Sequence, residues 1–519
     1  MRSHFLSRFR IIFSAFVLIC FFSVFVDFKH IIPSAYISAL VYLQLVPSFL
    51  KFIDIGTLAS AGFAAILILT ILTGRTYCSF LCPLGIGQDL NSRIGGRLRK
   101  KFRRYGFKRP FTIIRYTLLA ATVTVAVLWG LYLITLLDPF SIFGRFMTWF
   151  AKPAVIFINN FMAGILGKFD NYSLSHIPVP GFQLLSYAIP LFFLLLISGL
   201  SLAKGRLYCN MICPAGTLLG LLSKISILRI KVDESKCTKC GMCSVHCKSS
   251  CIDFLNHKVD VTRCVDCFNC ISVCPDKAIS YGILKLKKKE VKTDTDKRKF
   301  IAGSIALIFG LPFVARSQEK TTPVPKKEST VRENKTYPVC PPGGGSLEDF
   351  NSACTACSLC ITACPNNVLQ PALLQYGIKG MMQPVMDYHK SFCEYNCTVC
   401  TEICPVYALH PLVPDAKKLT RIGKANFIKD NCIVKTEKTA CGACSEACPT
   451  KAVYMVPYEG NLLIPETNTE ICIGCGHCEF ACPTKPYKAI YVDGVLVHEA
   501  AKKPENVEAE IGTHADFPF

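Results

Sequence analysis

The chain has 519 residues, 51% of them hydrophobic, with 58 Lys/Arg against 36 Asp/Glu, a formal net charge of +22 and 31 cysteines. That length accommodates several domains. Most cysteines recur in C-x2-C-x2-C-x3-C runs, a cluster-binding spacing that argues against a disulfide scaffold, and the basic excess flanks apolar segments, which argues for membrane topology and against nucleic acid.

Residues 1–232 read as a four-helix membrane domain. Apolar segments at 11–28, 57–73, 112–137 and 184–203 each approach the length that crosses about 30 Å of hydrocarbon. Residues 75–111 carry ten Lys/Arg and one acid, whereas 28–56 and 138–183 carry little positive excess. The positive-inside rule then sets both ends of this unit on the cytoplasmic side of a bacterial inner membrane, a multi-pass arrangement in contact with lipid.

The second and fourth segments each run into one repeated stretch, G-R-x-Y-C-x3-C-P-x-G, at 74–85 and 205–216. Spacing of four puts Cys78 and Cys82 on one helix face, and likewise Cys209 and Cys213. The proline after each pair bends or ends the helix. The two pairs could give four thiolates to one cluster or further metal centre, or act as redox dithiols; both readings stand open. A lone Cys20 is read as packing. Gln44, Pro47, Gln88, Asp89, Asp138 and Arg145 are the positions within this unit that could touch a quinone, although such groups at a membrane edge are ordinarily just solvated. No C-x2-C-H and no suitably placed histidine pair occurs, so no haem is expected.

Residues 233–283 carry Cys237, Cys240, Cys243 and Cys247, then Cys264, Cys267, Cys270 and Cys274. This is the two-cluster bacterial ferredoxin spacing, in which the fourth cysteine of each run ligates the other cluster. One [4Fe–4S] is expected on Cys237, Cys240, Cys243 and Cys274, the second on Cys264, Cys267, Cys270 and Cys247. Lys248 stands where proline is usual, and an extra Cys251 could replace Cys247. Zinc would want a two-plus-two arrangement of four ligands instead.

Residues 284–337 form a charged linker around an apolar stretch, 300–315, expected as a fifth, linking membrane helix with snorkelling flanks. Lys297-Arg298-Lys299 ahead of it has the look of a degenerate twin-arginine signal. The charge balance changes across it: 19 Lys/Arg against 9 acids over 203–299, and 19 against 22 over 317–519. The two-cluster domain is therefore expected in the cytoplasm and the last domain in the periplasm.

Residues 338–519 hold four runs: Cys354, Cys357, Cys360 and Cys364; Cys393, Cys397, Cys400 and Cys404; Cys432, Cys441, Cys444 and Cys448; and Cys472, Cys475, Cys478 and Cys482. Sixteen cysteines suit four cubanes, six [4Fe–4S] clusters with the first domain. Two regular runs flank two irregular ones, which suggests nested pairing, first with fourth and second with third, with consecutive pairing as the alternative. Cys340 is read as structural. The fold class is thus an α-helical membrane domain of four helices plus one linking helix, with two α+β ferredoxin-like domains.

On GRTYCSFLCPLG, GRLYCNMICPAG and the two-cluster spacing, the first 283 residues resemble the NapH-type membrane ferredoxin subunit of periplasmic nitrate reductase systems. On PPGGGSLEDF, CTACSLCITACP and the order of the four runs, the last 180 resemble the NapG type. The resemblance implies a quinol dehydrogenase-like protein, in which quinol from the membrane quinone pool is the substrate and a periplasmic redox protein or reductase the acceptor. Related proteins with C-x3-C-P pairs imply an alternative, an electron-donating assembly or maintenance factor that reduces a metal centre of a respiratory enzyme.

Overall fold

The computed structural model describes residues 2–27, 31–57, 60–98, 105–177, 184–283 and 331–503. The expected linking helix 300–315 and the arginine motif before it lie outside the described residues.

Helix α1 (Arg2–Val26) carries no acidic residue and is apolar along most of its length. At 1.5 Å per residue it is about 37 Å long, enough to cross a bilayer. Behind it come α2 (Ser34–Tyr42) and α3 (Leu45–Ile55), bent by 104° to each other. Then follow α4 (Gly62–Thr73), α5 (Tyr77–Phe80), α6 (Pro83–Leu98), α7 (Thr112–Leu128), α8 (Tyr132–Leu137) and α9 (Pro139–Phe146). A π-helical turn, Met147–Ala151, joins α9 to α10 (Lys152–Gly167); α11 (Leu184–Lys204), α12 (Leu207–Met211) and α13 (Pro214–Leu222) complete the unit.

The spans fall partly elsewhere than expected. Among the described residues three helices are long and apolar enough to cross a membrane, Phe5–Val26, Pro139–Gly167 and Ser186–Lys204, and the bent pair α2–α3 would make a fourth if it counts as one span. Two expected spans are shorter helices, Gly62–Thr73 and Thr112–Leu128. The 29-residue helix Pro139–Gly167 occupies a stretch read as a far-side loop. Its start is built by Asp138, whose carboxylate caps the Ser141 amide at 2.7 Å, with Pro139 in the first turn. The apolar signal was broken by Arg145, Lys152, Asn159 and Asn160. Those groups find partners: Arg145 donates to the Ser141 carbonyl on its own helix and to that of Thr135, Lys152 to that of Thr362, Asn159 to that of Ser175 and Asn160 to that of Ile177.

Strand β1 (Leu228–Val232) pairs antiparallel with β4 (Ile279–Ile283), which draws the five residues before 233 into the two-cluster unit. Between them lies the small hairpin of β2 (Ile252–Asp253) and β3 (Lys258–Val259). The four-cluster unit repeats that plan twice. Hairpins β5–β6 (Leu369–Pro371, Pro384–Met386) and β8–β9 (Val453–Pro457, Leu463–Thr467) each separate two cysteine runs. The long pair β7 (Thr420–Phe427) and β10 (Ile490–Ala500) backs the second half.

The two cluster units touch opposite ends of α1. Near its start, Arg10 pairs with Asp89 at 2.6 Å, and Phe9 lies against Phe80, which meets Phe268 of the two-cluster unit. Near its end, the Phe25 carbonyl accepts from Thr362 Oγ1 at 2.8 Å. The approach there is tight: a Cβ on Gly144 would lie 2.2 Å from the Cys357 carbonyl oxygen. One apolar core runs without a break from Val265 through Cys78, Cys82, Cys209 and Cys213 to Cys357, with Cys267 packed against it.

Candidate electron-transfer site: a buried thiol quartet between two cluster units

Every letter of the repeated G-R-x-Y-C-x3-C-P-x-G stretch has a place. The first glycines, Gly74 and Gly205, are where the two-cluster unit closes on the membrane unit; a Cβ would meet Asp266 Oδ2 at 2.5 Å and the Lys248 carbonyl oxygen at 2.5 Å. The arginines cross-brace the repeats. Arg75 donates to the Cys209 carbonyl at 3.2 Å, and Arg206 to the Cys78 carbonyl at 2.6 Å. The tyrosines anchor the other side: Tyr77 Oη donates to Gln44 Oε1 at 3.0 Å and Tyr208 Oη to the Leu137 carbonyl at 2.9 Å. Each proline opens the next helix, Pro83 in α6 and Pro214 in α13, where its missing N–H costs nothing. The last glycines, Gly85 and Gly216, leave room for the carbonyl of the first cysteine of their own repeat, 2.3 and 2.4 Å from where a Cβ would sit.

These constraints bring Cys78, Cys82, Cys209 and Cys213 into one buried group within mutual Coulombic reach. Gln88 Nε2 donates to Cys209 Sγ at 3.2 Å, the Gly216 amide to Cys213 Sγ at 3.3 Å, and Arg75 Nη2 faces Cys78 Sγ at 3.8 Å. Arg75 and Arg206 are fully buried. Asp89 answers Arg206 at 2.9 Å, but it also answers Arg10 at 2.6 Å and Lys248 at 3.3 Å. Buried cations outnumber their carboxylates here, a costly state unless an anion completes it. Four thiolates around an iron–sulfur cubane form a net anion. Among the described residues no three cysteine sulfurs fall within 4.8 Å of one another, whereas tetrahedral zinc–thiolate bonds imply roughly 4 Å; an iron–sulfur cluster on this donor set would suit both that spacing and the cationic surroundings.

Gln88 and Asp89, two of the positions that could touch a quinone, hold the thiol group and its arginines. Gln44 is tied to Tyr77, and its Nε2 donates to the Leu81 carbonyl at 3.3 Å; Pro47 is buried in α3. Arginine beside an apolar run ordinarily marks topology, which hides Arg10, Arg75 and Arg206 as site residues; for Arg75 and Arg206 the repetition with the cysteines is the available signal, and for Arg10 there is none. Cys20 accepts from Tyr36 Oη at 3.2 Å and belongs to packing.

In the two-cluster unit, Cys237, Cys240, Cys243 and Cys274 line one cavity. Cys247 lies near Cys267 and Cys270, and Cys251 meets Cys264 as well as Cys247, so both stand where a fourth ligand would be drawn from. Cys251 is buried with its sulfur 3.5 Å from that of Cys247. In the four-cluster unit the nested expectation gives way to consecutive pairing. Cys354, Cys357 and Cys360 gather with Cys404, and Cys393, Cys397 and Cys400 line a cavity with Cys364. Cys432, Cys441 and Cys444 line another with Cys482, and Cys472, Cys475 and Cys478 gather with Cys448. The hairpin between paired runs is the reason: it folds the chain back so that Leu359–Ala363 lies beside Val399–Glu402, and Ala443–Glu446 beside His477–Ala481. The two halves meet where the Cys393 amide donates to the Cys475 carbonyl at 2.9 Å. Cys340 is buried beside Phe350 and Cys354 in an apolar group and makes no part of a quartet. Burial pushes the Cys243 thiol up to about 11 and those of Cys357 and Cys444 to about 12, so their thiolate forms await a metal.

Residues 55–103 and 186–233, which contain the two repeats, each match the family described as 4Fe-4S binding domain, and 439–486 match the 4Fe-4S dicluster domain. The chain is 28% identical over 134 residues to the ferredoxin-type protein NapF of Escherichia coli K12, which covers 26% of this chain and 73% of that protein. It is 31% identical over 141 residues to the methylamine utilization ferredoxin-type protein MauM of Methylobacillus flagellatus, 26% of this chain and 59% of that one. It is 25% identical over 187 residues to the putative electron transport protein YccM of Escherichia coli K12, 36% and 44% of the respective chains. No solved structure matches. With these likenesses and the cysteine quartets, the chain is an iron–sulfur electron-transfer protein built from ferredoxin-type 4Fe-4S domains, and its apolar helices suggest membrane association.

Proposed function

We propose that this protein is a quinol dehydrogenase-like membrane conduit, taking electrons from the quinol pool and delivering them through the four-cluster unit to a redox partner on the periplasmic side. The observation that carries the reading is the position of Cys78, Cys82, Cys209 and Cys213. They lie in one apolar core between Cys267 of the two-cluster unit and Cys357 of the four-cluster unit. We assign this quartet a further [4Fe–4S] cluster, in addition to the six of the ferredoxin-type runs. Such clusters supply one-electron transfer, at potentials set by charge and burial. The chain's own contribution is to hold the thiols through the Arg75 and Arg206 cross-braces and to keep water away. The opposite-end docking of the cluster units on α1 supports opposite sides of the membrane for them, as do the charge balance and the NapH and NapG resemblances.

Quinol added to anaerobic membrane vesicles containing the full chain should bleach the cluster absorbance. If quinol leaves every cluster oxidised while a soluble low-potential ferredoxin reduces them, quinol is not the donor. Iron should measure roughly 28 atoms per chain, four for each of seven cubanes. Cys78→Ser/Cys209→Ser should lose roughly four of these with the ferredoxin-type EPR signals intact. An unchanged iron content would remove the seventh cluster from the scheme. Protease cleavage within 338–519 should occur from outside in intact spheroplasts; protection there would place this unit in the cytoplasm.

A further inference from the structure

A further cavity, lined by no cysteine, lies where the two-cluster unit meets the membrane unit. Lys108, Arg109, Lys204, Arg206, Lys248 and Arg263 line it, and no carboxylate does. Its remaining wall is apolar or neutral, with Phe111 at the foot of α7 and Leu207 and Met211 on α12.

The cations are only partly answered. Arg206 spends Nε on Asp89 and Nη1 on the Cys78 carbonyl, but its buried Nη2 has no partner. Arg263 spends Nε on Asp260 at 2.7 Å and Nη1 on the Lys108 carbonyl at 2.9 Å, and its Nη2 is likewise buried and unpartnered. Ser249 Oγ is buried without a partner, and Lys248 Nζ stands 3.3 Å from Asp89 without a hydrogen bond. Desolvation, with the neighbouring Lys204 ammonium, holds the Lys108 amine below its ordinary value. A buried donor left unmade is expensive, and several such donors belong to residues that line this one cavity, where a shared acceptor would satisfy them. Arginine forks favour a phosphate, which offers several oxygens to them at once.

We propose that this cavity binds a phosphate-class anion, either the headgroup of an acidic phospholipid or free phosphate, at the joint between the two-cluster unit and the membrane unit. Position favours the lipid: Phe107 and Phe111 are exposed beside the cavity and Ile113 and Ile114 follow on α7, so acyl chains can lie along α7 with the headgroup among the cations. Basic recesses between helices near a membrane surface recognise acidic headgroups in this way. The anion would sit on Arg206, the residue that also grips the Cys78 carbonyl, and so brace the thiol quartet. The proposal is independent of the electron donor.

The test uses the full-chain holoprotein in neutral detergent. Native mass spectrometry would compare retention of phosphatidylglycerol with that of phosphatidylcholine, and calorimetry would titrate inorganic phosphate. Lys108→Gln/Arg109→Gln removes two lining cations outside the quartet. Lys258→Gln/Lys277→Gln removes equal charge elsewhere on the two-cluster unit, and the cluster EPR signals report integrity in all three proteins. Preferential retention of phosphatidylglycerol, weakened at least tenfold by the first pair and unchanged by the second, supports the lipid headgroup. Phosphate binding with the same variant dependence, without phospholipid preference, supports the soluble anion. Equal retention of both phospholipids with no phosphate binding overturns the proposal, as does an equal loss in both variants.

Discussion

Gly85→Ala and Gly216→Ala test whether the repeat geometry makes the membrane thiol site. A Cβ at Gly85 would lie 2.3 Å from the Cys78 carbonyl oxygen, and one at Gly216 would lie 2.4 Å from that of Cys209. Contacts under 3.0 Å are essentially never found for a Cβ, so one side must move by about 0.6–0.7 Å, the difference between these figures. The carbonyls are poorly placed to give way, since Arg206 holds the first at 2.6 Å and Arg75 the second at 3.2 Å. Overpacking of this kind costs about 1–3 kcal/mol, and it falls on the peptide that carries a thiol ligand. Each variant should lose roughly four iron atoms per chain and keep the ferredoxin-type signals. Gly87→Ala is the control: it lies on the same helix, α6, and its Cβ meets nothing within 4 Å. Iron assay and low-temperature EPR read the result. Gly85→Ala with the iron content and spectrum of Gly87→Ala would refute the reasoning.

Three further outcomes are expected. Cys251→Ser should keep both clusters of the two-cluster unit by EPR, since Cys247 already stands within reach of Cys267 and Cys270; loss of one cluster would make Cys251 a ligand. Thr362→Val with Lys152→Met removes two hydrogen bonds that fasten the four-cluster unit to the membrane unit. Each is worth about 0.5–1.5 kcal/mol, so amide exchange over 359–363 should quicken several-fold, and unchanged exchange would show docking carried elsewhere. His498 is held down to about 4 by burial. The unfolded chain takes up this proton near its ordinary value, so the contribution is complete at neutral pH and shrinks as pH falls toward 4. Between pH 7 and 5 it amounts to about 2 kcal/mol. His498→Leu should therefore show a smaller drop in denaturation midpoint over that interval than the parent chain; an equal drop would remove His498 as its source.

The cysteine spacings and the repeated motif were legible in the sequence because ligand geometry and helix periodicity are local. A cubane needs three thiols from one short loop, and C-x2-C-x2-C states that directly. The exchange of fourth ligands between neighbouring runs, Cys274 to the first and Cys247 or Cys251 to the second, is expected from the same rule. The choice between nested and consecutive pairing is not, because Cys364, Cys404, Cys448 and Cys482 could each reach more than one run until the hairpins β5–β6 and β8–β9 set which run lies beside which. The helix Pro139–Gly167 was hidden for a related reason. Arg145 and Lys152 lower its hydropathy, and the carbonyls of Thr135 and Thr362, brought in from outside the helix, help make their burial tolerable. In the same way the sequence determined that two G-R-x-Y-C-x3-C-P-x-G stretches exist and which residues they share. Tertiary structure decided that the arginine of each braces the cysteine carbonyl of the other, and that the four thiols stand together between two cluster units. Those are contacts between residues more than 120 positions apart, and no local pattern encodes which distant carbonyl a buried guanidinium will find.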